Sequence, residues 1–158
     1  MRYEPAPDLQ KKAEEISRML FPHVKLDRMR CFRSFGSSSR GTIARCHTIG
    51  KLMQRAMNEK AFYALEFISE RFDRLSEEEK TKTIIHELMH IPQSFGGGFR
   101  HHDHVCERNV NICYKEYRKK KEETEERDGL GLQELRWKNQ ENIKRLDIMR
   151  KDAGKNFF

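Results

Sequence analysis

Leu9, Ala13, Ile16 and Leu20 recur at steps of four, three and four residues, which draws one apolar stripe along a helix. Pro5 and Pro7 keep the entry extended, Asp8 is placed to cap the helix, and Pro22 ends it. From there the pattern shortens to alternation. HVKLDRMRCFRS predicts a strand, FGSSSRG a connection, and the β-branched TIARCHTI (residues 42–49) its partner strand in a hairpin. KLMQRAMN fits a short helical turn. AFYALEFISERF predicts a third, largely buried strand, with Tyr63, Leu65 and Phe67 on one side and Phe62, Ala64, Glu66 and Ile68 on the other.

The period then returns to helical. Ser76 followed three residues later by Glu79 is a capping box, and the helix it opens carries Ile84, Ile85, Leu88 and Met89 before Pro92 stops it. A glycine-rich loop, FGGGFR, leads to a further helix from about His102 or Asp103, with Val105, Val110, Cys113 and Tyr117 near one face. Lysines and glutamates dominate from Lys115 to Asp128 and read as an exposed helix with i,i+4 ion pairs. Gly129 and Gly131 interrupt the pattern. Beyond them Leu132, Leu135, Ile143, Leu146 and Met149 are spaced for an amphipathic helix that packs on this chain or on a partner. The pattern as a whole predicts an α+β domain at residues 1–117, with a small sheet packed on the N-terminal helix and the capped helix. A charged helical extension follows at residues 118–158.

Composition narrows the classes. With 158 residues, 36% apolar and 36% charged, the chain suits one modest core with part of its length outside it. No apolar run is long enough for a membrane span, and MRYEPAPDLQKK has no signal-like apolar segment, so a cytoplasmic location is expected. In that compartment the four cysteines are expected to be free thiols. Cys31 and Cys46 could face each other across the hairpin, and Cys106 and Cys113 share a helix face. A structural zinc held by these four is the weaker reading, because no CxxC pair is present. The net charge of +7 allows a nucleic-acid partner without requiring one. RMRCFRSFGSSSR, basic with two phenylalanines, could suit a single strand, although a solvated hairpin explains it as well.

The chemistry sits on the capped helix. His86-Glu87-Leu88-Met89-His90 is HExxH, and residues i and i+4 share a helix face, so both imidazoles can reach one ion. Zn²⁺ held there would activate water for attack on a peptide carbonyl, with Glu87 beside the ion as general base rather than ligand. Two exposed histidines on an ordinary amphipathic helix are the plain alternative. The capped helix, the apolar flanks and the downstream histidines argue against it. A third ligand is required. The metzincin spacing is excluded, because Gln93 and Gly96 stand where it needs glycine and histidine. His101, His102, Asp103, His104, Glu107 and Glu116 are candidates, and chemistry alone does not choose among the histidines. Tyr114, Tyr117 and Arg100 are candidates to stabilise an oxyanion, though both tyrosines fit the edge of the core equally well.

HELMHIPQSFGGGFRHH resembles the core of an archaeal metallopeptidase family related in pattern to the SprT-like zinc peptidases. The likeness extends to APDLQKKAEEI, CFRSFGSSSRGTIARC and FISERFDRLSEEEKTKTIIHEL, over residues 3–117. The resemblance implies a zincin-like fold and peptide hydrolysis with Zn²⁺ as cofactor. It maps the third ligand to His102, beside His86 and His90. His101 stands where the family's pattern has proline. A protein or peptide is the implied substrate, with an extended peptide pairing to an edge strand within residues 42–69. An alternative it allows is a protease acting on DNA-bound proteins, or a DNA-binding metal protein without catalysis.

Overall fold

The computed structural model describes residues 1–153, with side chains through residue 147, so Met149 of the expected apolar stripe lies outside the described side chains. Two compact units are present, Met1–Arg118 and Lys119–Phe158. The first is α+β. Its elements in chain order are β1 (Arg2–Pro5), α1 (Pro7–Leu20), β2 (Met29–Phe35), β3 (Ala44–Thr48), α2 (Lys51–Met57), β4 (Tyr63–Ile68), the single turn α3 (Ser69–Phe72), α4 (Glu77–Met89) and the start of α5 (Glu107–Ala153).

The mixed sheet has the order β1-β2-β4-β3. β2 pairs with β4 in parallel, and β3 pairs with β4 antiparallel. The expected β2–β3 hairpin is therefore absent, with β4 inserted between the two strands. The reason is burial. β4 carries Tyr63, Leu65 and Phe67, all fully buried, and a strand this apolar is best covered with a neighbour on each edge. Cys31 and Cys46 consequently both align with Leu65, one on each side of β4, and do not face each other. All four cysteines are free.

One sheet face is covered by α1, which packs on β2, and by α4, which packs on β3 and on α1. Leu9, Ala13 and Ile16 of α1 meet Ile84, Ile85 and Leu88 of α4 in the same buried cluster as Leu65 and Phe67. This is the two-layer arrangement that a small domain needs to close one core.

Local chemistry departs from expectation at three places. Ala6, not Asp8, is the N-cap of α1. The Asp8 carboxylate instead accepts two hydrogen bonds from Arg33, at 2.7 and 2.8 Å, and Arg33 also reaches Asp73 at 3.1 Å. α5 begins at Glu107, several residues later than expected, because residues 101–106 are spent in turns. The helix also runs through Gly129 and Gly131 without a break. A glycine costs a helix only about 1 kcal/mol relative to alanine, which neighbouring turns can absorb. Among the described residues, no helix is long and apolar enough to cross a membrane.

Candidate metal centre

α4 is fixed at its start by a complete capping box. Ser76 Oγ accepts from the Glu79 N–H, and the Glu79 carboxylate accepts from the Ser76 N–H. Its last turn carries His86 and Glu87, and His90 is the C-cap residue. The Glu87 side chain is turned inward and the residue is 5% exposed, whereas His86 and His90 are half-buried.

After Pro92 the chain loops out and returns at Arg100. There the Arg100 N–H donates to the His90 carbonyl at 2.8 Å, and His90 Nδ1 donates to the Arg100 carbonyl at 2.7 Å. The loop between is held from the sheet. Tyr63 Oη donates to the Gly98 carbonyl at 2.8 Å and accepts from the Gly97 N–H at 3.0 Å. Gln54 Nε2 donates to the carbonyls of Ile49 and Gly96. Gly97 has φ +94°, and a Cβ there would lie 2.5 Å from the Ile49 carbonyl oxygen, so only glycine fits.

This return brings His102 to the helix. The rings of His86, His90 and His102 lie 5.0–5.6 Å apart centre to centre. One ring nitrogen from each falls within 4.8 Å of the others. His102 Nδ1 donates to the Val105 carbonyl at 3.2 Å. In His90 and His102, then, a carbonyl holds the proton on Nδ1 and leaves the Nε2 lone pair free. Burial, with the neighbouring rings adding to it, pushes the His86 pKa down to about 4. Burial lowers that of His90 as well. Neutral imidazoles with oriented lone pairs are the state a metal ligand requires, so the donor set fits a divalent metal.

The other candidates fall elsewhere. His101 lines the same cavity as His86, Glu87, His90 and Arg100 but is not a member of the cluster. His104 lines a different cavity, with His23 and Asn109. Asp103 accepts from the His104 N–H at 2.9 Å. Glu107, at the first position of α5, lines a third cavity with His86 and Glu87, and neither it nor Glu116 joins the cluster. Tyr117 is fully buried, and its hydroxyl donates to Glu15 at 2.7 Å and accepts from Lys12 at 2.9 Å, which commits it to the core. Tyr114 lies under Lys82.

Three supporting residues escape sequence reasoning: Tyr63, Gln54 and Arg100 in its backbone role. The glycine triplet Gly96–Gly98 was the one available signal that something approaches the loop closely. Cys46 is a fourth feature of the site. It lines the cavity, and burial, reinforced by the Glu87 carboxylate, keeps its thiol protonated.

The family described as Putative phage metallopeptidase matches residues 1–127, most of the chain. The chain belongs to that family. No curated protein and no solved structure matches it. Membership makes it a metallopeptidase in class and implies a metal.

Two predictions follow from this geometry. His102→Ala is expected to weaken metal binding at least about 100-fold in a competitive chelator titration, whereas His104→Ala should change it less than about threefold. The second concerns pH. Burial raises the Glu87 pKa from 4.5 to about 7 in the metal-free fold. A raised carboxyl pKa means the folded state holds a proton that the unfolded chain releases. Its stabilising contribution is complete below about pH 4.5 and is lost as pH rises through about 7. Glu87→Gln, which mimics the protonated acid, should therefore stabilise the metal-free protein by roughly 3 kcal/mol at pH 8 and by little at pH 4.5. Denaturant titrations at the two pH values measure the difference.

Proposed function

We propose that this member of the family is a zinc-dependent endopeptidase that hydrolyses peptide bonds in a protein or peptide substrate, with Glu87 as general base. The observation that carries the reading is the convergence of the His86, His90 and His102 ring nitrogens within 4.8 Å, next to a buried carboxylate. Three nitrogens in an open site favour Zn²⁺ over harder ions. When bound, the metal supplies Lewis-acid activation of water and of the substrate carbonyl.

The chain's own residues do the rest. His90 and His102 present Nε2 because their Nδ1 protons are tied to the carbonyls of Arg100 and Val105. Glu87 takes a proton at its carboxylate and returns it to the leaving amine. A carboxyl whose pKa is pushed up towards neutrality is matched to both transfers. The substrate is held by β3. This strand is at the sheet edge, and Ala44, Arg45 and Cys46 line one cavity with His86, Glu87 and His90. An extended peptide that pairs with the free edge of β3 runs past the histidines, with its main chain recognised first and its side chains second. Arg100 lines the same cavity, and in this reading its guanidinium faces the developing oxyanion. In this reading the fold is zincin-like.

The net charge of +7 supports a second reading, in which the protein substrate is held on nucleic acid, as in the SprT-like peptidases that the sequence resembles.

Glu87→Ala is expected to keep its zinc, measured by elemental analysis of the purified protein, and to lose at least about 100-fold in cleavage of an unstructured protein such as casein. Cleavage at the parent rate by the zinc-loaded variant would overturn the assignment of the base. For the second reading, DNA affinity measured by fluorescence anisotropy should fall roughly 10-fold or more between 50 and 200 mM salt. A salt-independent affinity would exclude phosphate contacts as its basis.

A further inference from the structure

The second unit carries a feature that the peptidase reading does not use. Along α5, Leu132, Leu135, Ile143 and Leu146 are each 59–62% exposed. At about 100° per residue they fall within roughly 80° of the helix circumference, with Asn139 in the middle. The stripe is symmetric in sequence. Leu135 and Ile143 stand four residues either side of Asn139, and Leu132 and Leu146 stand seven either side. Leu130 and Trp137 project from the other side of the helix and do not belong to it.

We infer that this stripe binds the same stripe of a second copy of the chain, as an antiparallel helix pair centred on Asn139. A palindromic stripe is self-complementary under the two-fold axis of such a pair. Leu132 meets the partner's Leu146, Leu135 meets the partner's Ile143, and the two Asn139 amides meet each other. An amide is both donor and acceptor, so this one polar layer is satisfied only when Asn139 faces Asn139. A single buried asparagine in an apolar seam fixes register in this way.

The charges of one flank agree with the antiparallel sense. No charged residue lies within the stripe, and one flank carries Arg136 and Asp147. In the antiparallel pair that flank meets its own copy. Arg136 then lies roughly 7.5 Å along the axis from the partner's Asp147, which is within reach of an arginine side chain. A parallel pair sets the same flank against Gly131 and Asn142 and forms no such ion pair. The eight apolar side chains bury on the order of 800 Å² in the pair, and with the flanks roughly 1,200 Å². That is the lower end of a specific interface, so the dimer should dissociate on dilution.

The full chain is expected to sediment as a dimer at about 100 μM and as a monomer at about 1 μM. Leu135→Glu and Ile143→Glu, each with parent-like helix content by circular dichroism and parent-like zinc binding, should be monomers at both concentrations. Register is read by oxidative cross-linking against the parent chain. Leu132→Cys and Leu146→Cys chains should give a covalent dimer when mixed and neither should when alone. A parent chain monomeric at 100 μM, a dimer that survives both glutamate substitutions, or cross-linking of Leu132→Cys with itself would overturn the proposal.

Discussion

Arg100 is held by His90 through both of its backbone polar groups. Its N–H goes to the His90 carbonyl, and its carbonyl receives the His90 Nδ1 proton. This one pairing closes α4, because the His90 carbonyl is among those a helix end leaves without an intrahelical partner. It sets the tautomer of the second imidazole. It also fixes where the glycine loop returns, two residues before His102. Tyr63 and Gln54 serve the same end from the sheet side by holding the loop's backbone polar groups. The third histidine is thus positioned mainly by backbone hydrogen bonds, which are less easily displaced than side-chain packing alone would be.

Burial disfavours charge at this point. His86 is kept neutral by burial and by the two rings beside it, and Glu87 is driven towards its protonated form. Such perturbations cluster at functional sites. Their cost is tolerable because α4 is fixed elsewhere. Its start is capped, and Ile84, Ile85 and Leu88 are fully buried against α1 and the sheet. The rigidity of the scaffold holds both side chains where burial disfavours their charged forms.

The features legible in the sequence are those encoded within one element. The α1 stripe, the capping box, the buried third strand and the HExxH spacing each depend on residues a few positions apart, and the structure has all of them. What was not legible depends on which elements meet. Alternation gives the faces of a strand and not its neighbours, so the insertion of β4 between β2 and β3 was invisible. Asp8 looked like a cap because Arg33, its actual partner, is 25 residues away. His101, His102 and His104 are chemically identical, and their different destinations are set by backbone turns at residues 101–106 and by the bond from His102 to Val105.

Two buried glutamates show why Glu87 stands out from the rest of the scaffold. Glu66, on β4, is 2% exposed and faces away from the core. Burial alone would raise its pKa, but the Ser34 hydroxyl, His47 at 2.6 Å and Arg45 at 3.4 Å outweigh that and hold it below the usual value. It is a carboxylate made safe by its partners, as buried charges in a stable fold normally are. Glu87 is nearly as buried, yet no cation among the described residues forms an ion pair with it, and burial alone shifts it upwards. A fold selected only for stability would have paired this group or replaced it with an apolar one. Its position between two histidines, facing a cavity shared with an edge strand, sets it apart as a buried acid that the packing of the scaffold does not account for.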